Sequence, residues 1–365
     1  MESPDRTLTA IDIASVQNAA RVWSDIVDSS EHAWIWHTFL FREFDRKAGA
    51  GQGARDLSFF VKQGETMVGV VPLVMLETVL GDFRGKKAAY YSGFLPWPCF
   101  RAGLGGREAL EDFAFTELER RAREVGAGYI VVRLTPRAGL DIESTDVERI
   151  ITQFRYVNAS LNSHVAAVSK ELLKKVRSRY DYKKFSPLFK LSVAENTSVT
   201  DALEETYFQL HIKDAGGQFR PRESYRAQAD FARKGEGFYV VATHKETGTV
   251  VGMALISVYK GAAYYGSVAI DPEFQKLCVG YQLQCHVIEE LLRRGIKWYD
   301  LGPAADIPTL FAPTSKKKLG ISHFKEKFSG EGSRPVYQVE KFLDEGFLHA
   351  WLGAHEVALK EYFGL

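Results

Sequence analysis

The chain has 365 residues, of which 45% are hydrophobic and 25% charged, and its formal net charge is +1. This near-neutral balance excludes a dedicated, strongly basic nucleic-acid binder and a polybasic membrane-binding protein. The sequence contains no run of about 18 apolar residues, so we expect no membrane span, and residues 1–20 lack the apolar core of a signal sequence. The three cysteines have neither metal-ligand spacing nor an even number. We therefore expect a cytoplasmic protein of two domains without a metal site.

The first half of the chain combines short β patterns with one long amphipathic helix. The predicted strands are rich in β-branched and aromatic residues, and they cover residues 59–61, 67–75, 88–94 and 129–134. The first two form a predicted hairpin with its turn at Gln63-Gly64. Residues 109–124 have the spacing of an amphipathic helix.

The middle of the chain holds its most positive stretch, residues 169–185, which reads SKELLKKVRSRYDYKKF. This stretch predicts a basic helix. Either it contacts a phosphate-bearing partner, such as a nucleotide or tRNA, or it is a solvated helix face. Residues 201–213 predict the next helix, and Pro221 opens another.

Residues 262–302 predict a strand, a loop, a helix and a second strand, and the rest of the chain is organised around them. The first strand stops at Asp271-Pro272, since proline has no N–H to continue a ladder. From Val279 the apolar residues follow a helical stripe that ends at Gly295. In such a unit the loop before the helix and the free N–H groups of its first turn favour an anion. A plain crossover without a ligand has the same pattern.

Three blocks of the first half recur in the second half in the same order. Residues 59–73 match 238–256, residues 85–98 match 260–272, and residues 117–134 match 289–301. One such match arises easily by chance, but three in register favour a duplication. We predict two copies of one mixed α/β unit, with the better ligand loop in the second copy.

Three motifs of the second copy carry a resemblance to a known family: YYGSVA at residues 264–269, the D-L-G turn at 300–302, and FKEKFSG at 324–330. With them, the chain resembles the FemAB-like branch of the GNAT acyltransferase superfamily, in which two GNAT-like domains are fused in tandem. The resemblance implies an α/β (α+β) fold in which each domain is a mixed, mostly antiparallel sheet flanked by helices. It also implies transfer of an acyl or aminoacyl group to an amine.

The resemblance further implies which residues bind the two substrates. The donor side is expected to include residues of the loop and its flanking elements, namely Ser267, Gln275, Val279, Gly280 and Tyr281. The acceptor side is expected to include residues near the helix end at 211–225 and on the first strand, namely His211, Lys213, Arg220, Tyr225 and Tyr264. No cofactor is expected to stay bound; acyl-CoA, an acyl carrier protein or an aminoacyl-tRNA would be the donor substrate.

The chemistry of such a transfer requires an amine to lose a proton, attack a carbonyl and pass through an oxyanion. Asp300 either orients or deprotonates the amine, or caps the turn at Gly302. Tyr264 and Tyr265 alternate across their strand, so one faces each side, and Tyr265 is the candidate proton donor to the leaving group. Lys325 is the candidate for stabilising the oxyanion or holding a donor phosphate.

We therefore predict an N-terminal domain over residues 1–160, a C-terminal domain with the active cleft over 161–338 and a helical tail over 339–365. The predicted activity is transfer of an acyl group to an amine of a cell-envelope or glycan precursor, with an acyl thioester as the favoured donor. The transferred group is expected to be other than an aminoacyl group. An aminoacyl-tRNA-dependent transferase and a non-catalytic GNAT-like binding module are the alternatives.

Overall fold

A computed structural model describes residues 7–135, 145–304, 316–329, 332–363 and 365. These residues form two compact units. The first unit contains the described residues up to 161 and from 335 onward, and the second contains those from 162 to 334. Both are mixed α/β units with mostly antiparallel strands, as predicted.

The strands and helices before residue 160 are, in chain order, β1 (Leu8–Asp12), α1 (Ala19–Ser29), α2 (Phe39–Ala48), β2 (Arg55–Asp56), β3 (Phe59–Gln63), β4 (Thr66–Val71), β5 (Val74–Leu80), β6 (Phe83–Ala88), β7 (Leu95–Pro96), β8 (Cys99–Phe100), α3 (Arg107–Glu124), β9 (Tyr129–Leu134), α4 (Thr145–Phe154) and β10 (Val157–Asn158).

The remaining elements are β11 (Leu161–Ala167), α5 (Lys170–Ser178), α6 (Tyr180–Phe185), β12 (Phe189–Ala194), α7 (Asp201–Ala215), α8 (Arg222–Arg233), β13 (Gly237–His244), β14 (Val250–Tyr259), β15 (Ala262–Ile270), α9 (Val279–Arg293), β16 (Trp298–Pro303), α10 (Lys316–Ser329), β17 (Ser333–Phe342) and α11 (Glu345–Phe363).

The first unit contains two groups of strands. The antiparallel strands β1, β3, β4 and β8 form one sheet in that order, and β17, β9, β6, β5 and β2 are neighbours in the other. β6 pairs in parallel with β9 at Lys87↔Tyr129 and Ala88↔Ile130. After a loop, β7 resumes parallel pairing with the same strand at Leu95↔Val132 and Pro96↔Arg133.

The prediction of a strand over residues 88–94 is wrong beyond Ala88, where this loop begins. The N–H of Tyr90 donates to the carbonyl of Phe94 at 3.2 Å, and this bond folds the segment back on itself. The N–H groups of Tyr91 and Ser92 donate to the carboxylate of Asp45, which is fully buried, at 2.8 and 3.2 Å. These two bonds stabilise a loop where a β-ladder was predicted.

The described strands of the second unit form a sheet in the order β12, β13, β14, β15, β16 and β11, and among these described strands only β15 and β16 pair in parallel. Helix α9 packs on one face with the predicted stripe of Val279, Leu283, Val287 and Leu291, and all four are fully buried. Tyr207 of α7 and Tyr225 of α8 lie in a second buried cluster on the other face.

The predicted helical tail needs a correction at its start. Residues 339–342 belong to β17, where Val339 pairs with Val132 and Phe342 with Tyr129. The helix begins at Glu345. Strand pairing with β9 outweighs the helical spacing of these four residues.

Candidate active site

β15 and β16 are paired along only part of their length. Their parallel pairs are Ala262↔Trp298, Ala263↔Tyr299 and Tyr264↔Asp300. β15 then continues to Ile270 and β16 to Pro303. The two described strands therefore leave a gap beyond the pair of Tyr264 and Asp300.

A β-bulge lies at the edge of this gap. Leu255 of β14 pairs with Ser267, whereas Ile256 pairs with Tyr265, so Gly266 is the extra residue on β15. Leu255 belongs to the core under α7 and α8, and Ile256 to the core under α9. Since paired residues share a face, Ser267 faces α7 and α8, and Tyr265 faces α9.

Tyr264 pairs with Ser257, the residue after Ile256, so it lies on the α7 and α8 face. The expectation that the two tyrosines face opposite sides is confirmed. Asp300 lies between Tyr299 and Leu301, which belong to the core under α9, so it is on the opposite face of the sheet from Tyr265. The Tyr265 ring packs edge-on against Tyr299, with ring centres 6.5 Å apart. Burial raises the pKa of Tyr265, and a hydrogen bond with Gln284 acts against that rise.

Asp300 is 2% exposed, and its carboxylate accepts hydrogen bonds from β11 and from the turn that follows Asp300. The hydroxyl of Ser163 on β11 donates to its Oδ1 at 2.6 Å, and the N–H of Gly302 donates to the same oxygen at 2.7 Å. The predicted turn-capping contact is thus present. The carboxylate fixes the end of β16 to β11 and shapes the turn at Gly302.

Lys325 and Tyr264 approach the same side of Gly302. A Cβ placed on Gly302 would lie 3.1 Å from Lys325 Nζ and 3.3 Å from Tyr264 Oη. Lys325 Nζ also donates to the carbonyl of Pro303 at 3.4 Å. Burial lowers the pKa of Lys325, and the Asp300 carboxylate acts against that shift. Lys325, Tyr264 and Asp300 therefore meet at the end of β16.

Two buried polar residues that the sequence did not predict hold α10 against β11. His164 Nε2 lies 2.8 Å from Ser322 Oγ, and both residues are at most 5% exposed. His164 Nδ1 lies 3.5 Å from Ser329 Oγ. These contacts position the helix that carries Lys325. Ser329 stands in the quoted motif, but neither His164 nor Ser322 had a signal in the sequence. Gly330, the last motif residue, lies outside the described residues.

Three of the predicted acceptor residues form a cluster above the bulge. Tyr225 is fully buried, and its Oη lies 3.4 Å from His211 Nδ1. The guanidinium of Arg220 lies 4.4 Å from the centre of the Tyr225 ring. His211 Nε2 lies 3.5 Å from the Oγ of Ser267, a predicted donor residue. Burial, with the nearby charge of Arg220, lowers the pKa of His211 to about 4.

Lys213 and Gln275 lie apart from this cluster. Lys213 Nζ donates to the carboxylates of Asp271 at 2.9 Å and Glu273 at 2.8 Å, and these ion pairs raise its pKa. Burial raises the pKa of Asp214 on α7, and the side chain of Gln275 acts against that rise through a hydrogen bond. Both residues thus connect α7 to the short 3-10 helix Pro272–Leu277 that precedes α9.

The remaining predicted donor residues form the first turn of α9. The side chains of Val279 and Tyr281 are buried, and the Tyr281 hydroxyl donates to the carbonyl of Val176 at 3.0 Å. Only their backbone can therefore face a ligand. The Tyr281 N–H bonds to Cys278 in the turn, and no described acceptor takes the N–H groups of Val279 and Gly280. Such amides favour an anion.

Charged side chains of both signs lie near this helix start. Burial and the Asp181 carboxylate raise the pKa of the Cys278 thiol, and the charges of Lys327 and Lys184 act against that rise. The charge of Arg179 acts likewise on the buried Tyr281 hydroxyl, whose pKa is raised. Part of the predicted basic stretch, now α5 and α6, therefore lies close to the first turn of α9.

Comparisons with known proteins agree with this architecture. Residues 174–313 match the family model "Acetyltransferase (GNAT) domain". No curated protein sequence matches the chain. The solved structure of FemX is 11% identical with a TM-score of 0.62, covering 92% of this chain and 98% of its own. A tandem GNAT protein from the clavulanic acid biosynthesis pathway is 10% identical with a TM-score of 0.53, covering 92% and 98%.

A third similar structure is the C-terminal domain of a putative lysylphosphatidylglycerol synthetase from Agrobacterium fabrum. It is 12% identical with a TM-score of 0.57, and the match covers 93% of this chain and 96% of that one. These likenesses establish the fold.

This is a mixed α/β protein in which residues 174–313, in its second half, match a GNAT acetyltransferase domain. The chain as a whole has the fold of tandem GNAT proteins, so the resemblance to the FemAB-like branch is confirmed. The predicted exclusion of aminoacyl groups has no support, because one similar structure is named for a lysyl product. In the described part of the chain, every helix is too short or too polar to cross a membrane.

Proposed function

We propose that the second unit, within the predicted domain 161–338, transfers an acyl or aminoacyl group from an activated donor to an amine by direct attack. The observation that carries this proposal is the gap between β15 and β16 beyond Tyr264 and Asp300. A gap between two parallel strands gives the donor's carbonyl a fixed position that an amine can approach from one face of the sheet. Direct attack needs no nucleophilic side chain.

The residues around the gap supply what the transfer requires. The ammonium of Lys325 stabilises the oxyanion, and the Tyr264 hydroxyl lies on the same side of Gly302. Asp300 keeps the end of β16 in position through Ser163 and the Gly302 amide. The first turn of α9 binds the donor phosphates.

The first unit supports this assignment by contrast. Its strands β6 and β9 are also parallel, but β7 resumes the pairing at Leu95↔Val132 and Pro96↔Arg133. In the first copy, strand pairing therefore resumes at the position where β15 and β16 of the second copy remain unpaired. We assign the transfer to the second copy alone.

An acyl thioester, from acyl-CoA or an acyl carrier protein, is the favoured donor, and an amine of a cell-envelope or glycan precursor is the proposed acceptor. The test uses hydroxylamine as a general acceptor with acetyl-CoA or aminoacyl-tRNA as donor, and measures the hydroxamate formed. We expect Lys325→Ala to lower the rate at least 10²-fold by removing the oxyanion partner. Lys316→Ala, an exposed position on the same helix, is the control and keeps the wild-type rate. A wild-type protein inactive with both donors contradicts the proposal.

The cations near α9 favour a second candidate, an aminoacyl-tRNA-dependent transferase. Lys184, Lys327 and Arg179 extend the anion-binding region beyond the first turn of the helix, which suits a long polyanion better than a small thioester. We then expect tRNA binding to weaken steeply with salt. Lys184→Glu would weaken it further, while Lys190→Glu on the edge strand β12 would leave it unchanged. Hydroxamate from acetyl-CoA but not from aminoacyl-tRNA rejects this candidate.

A further inference from the structure

A connected row of hydroxyl and imidazole groups leads away from the bulge on β15. The hydroxyl of Tyr207 on α7 donates to Ser267 Oγ at 2.7 Å. Ser267 Oγ lies 3.5 Å from His211 Nε2, and the Tyr225 Oη lies 3.4 Å from the other ring nitrogen, Nδ1. Tyr207 and Tyr225 are fully buried, so the row has little freedom to rearrange.

A proton can move along the row from Ser267 to His211 when the ring nitrogen that faces Ser267 carries no hydrogen. Burial raises the pKa of Tyr207 to about 12, so its hydroxyl keeps its proton and donates to Ser267. Ser267 Oγ accepts that bond and has one hydrogen of its own to give. The neighbour within reach on its other side is His211 Nε2. If the imidazole carries its hydrogen on Nδ1, toward Tyr225, then Nε2 is free to accept.

We infer that Ser267 contacts the acceptor amine and that His211 takes the amine's proton through Ser267. This inference rests on the proposed function. Ser267 follows the extra residue of the bulge, on the face of the sheet that also carries Tyr264. His211 is a positioning residue in this scheme, since it acts through the serine rather than on the substrate.

The transfer balances in protons and bonds. The acceptor ammonium gives a proton to Ser267 Oγ while Ser267 gives its own hydrogen to His211 Nε2. The nitrogen lone pair then forms the C–N bond, and the bond from the carbonyl carbon to the donor's sulfur or oxygen breaks as the oxyanion collapses. The second proton lost from nitrogen goes to that leaving atom. His211 afterwards returns its proton to solvent.

The charge around His211 determines when it can act. Arg220 opposes a positive charge on the ring, and burial acts in the same direction. His211 is therefore neutral at pH 7 and can accept a proton.

The first experiment needs no activity. NMR of the full chain with ¹⁵N-labelled histidine, assigned with His211→Gln, reports the pKa and the tautomer of His211. We expect titration well below that of an exposed histidine, a hydrogen on Nδ1 at pH 7, and a rise of the pKa in Arg220→Gln. A hydrogen on Nε2 overturns the inference even if the protein is an active transferase.

The second experiment compares two acceptors with acetyl-CoA or aminoacyl-tRNA as donor. Hydroxylamine is a neutral nucleophile at pH 7 and needs no base, whereas glycine is an ammonium that also carries a carboxylate. We expect His211→Gln and Ser267→Ala to slow transfer to glycine 10²-fold or more and to change transfer to hydroxylamine less than threefold. Ser267→Thr, which keeps the hydroxyl, restores the glycine rate.

The control is His286→Gln, a position on α9 whose Nδ1 lies 3.4 Å from Glu289, and it keeps both rates. Equal losses with both acceptors mean a purely structural role for His211 and overturn the inference while the transferase stands. A wild-type protein inactive with both donors removes the proposed function and this inference together.

Discussion

Tyr264 and Asp300 are the last residues at which β15 and β16 pair in parallel. Both strands continue beyond them, and there the backbone of each strand no longer pairs with the other. Lys325 and Tyr264 approach Gly302 at this point, so the end of the pairing and the reactive side chains coincide.

Gly302 offers a direct test of this arrangement. Its φ is +87°, and an added Cβ would lie 3.1 Å from Lys325 Nζ. We expect Gly302→Ala to cost about 1–2 kcal/mol of stability through backbone strain and to abolish transfer by displacing Lys325. Gly295→Ala is the matched control, because Gly295 has φ +69° but no atom within 4 Å of the added Cβ. It should lose similar stability and keep its activity. Equal activity of the two variants would contradict the proposed role of Lys325.

The pH dependence of transfer tests the charge of Lys325. Burial lowers its pKa from the ordinary 10.5, so the ammonium loses its proton at a lower pH than an exposed lysine does. If the charged form stabilises the oxyanion, the rate should fall on the alkaline side below pH 10.5. Lys325→Arg should move this fall upward, because arginine keeps its charge. An unchanged alkaline limb in the arginine variant would assign the fall to another group.

The buried carboxylate of Asp300 should matter for stability as well as for the site. Removing it in Asp300→Ala leaves the Ser163 hydroxyl and the Gly302 amide without their acceptor. Each unsatisfied buried group costs about 1–3 kcal/mol, so we expect a loss of about 3 kcal/mol in urea unfolding. Ser163→Ala removes a single bond and should cost about 1 kcal/mol. A stability of Asp300→Ala within 0.5 kcal/mol of wild type (roughly the additivity error of such measurements) would refute this.

Asp45 in the first unit should make stability depend on pH. Burial raises its pKa from 3.8 to about 7 in the folded protein, against the hydrogen bonds from Tyr91 and Ser92. Between these two values the folded state binds more protons than the unfolded state. Stability therefore falls as the pH rises toward 7 and stays level above it.

Chemical unfolding of wild type and Asp45→Asn at pH 5 and pH 8 measures this effect. The loss of stability on going to pH 8 should shrink in the variant. Asp25→Asn, at an exposed position on α1, should keep the wild-type loss. If Asp45→Asn also keeps it, another group is responsible.

The secondary structure of residues 262–302 in the second unit was predictable because the sequence signals for it are local. The strand to Ile270, its end at Pro272 and the helix from Val279 follow from β propensity, proline and 3.6-residue spacing, and the structure has all three. The side-by-side position of Tyr264 and Asp300 follows from the strand–helix–strand unit.

The partners of the site residues had no such signal. Ser163 lies 137 positions before Asp300 in the chain, and His164 lies 158 positions before Ser322. Tyr207 looks like a core tyrosine in its helix, and only the fold places it on Ser267. Likewise, the sequence AAYY predicts a strand both at residues 88–91 and at 262–265. In the first copy Asp45, which is distant in sequence, accepts a hydrogen bond from the Tyr91 N–H and stabilises a loop instead.

The proposed reaction requires the donor's carbonyl to lie in the gap between β15 and β16. The most direct measurement is a crystal structure of the protein with a non-transferable donor, either a thioether analogue of acyl-CoA or an amide-linked aminoacyl-tRNA 3′ end. We predict the acyl carbon between Ser267 and Gly302, within reach of Lys325, with the donor phosphates at the first turn of α9. A donor bound with its acyl carbon outside the two strands, or a gap that closes by pairing beyond Tyr264 and Asp300, would contradict this position of the carbonyl.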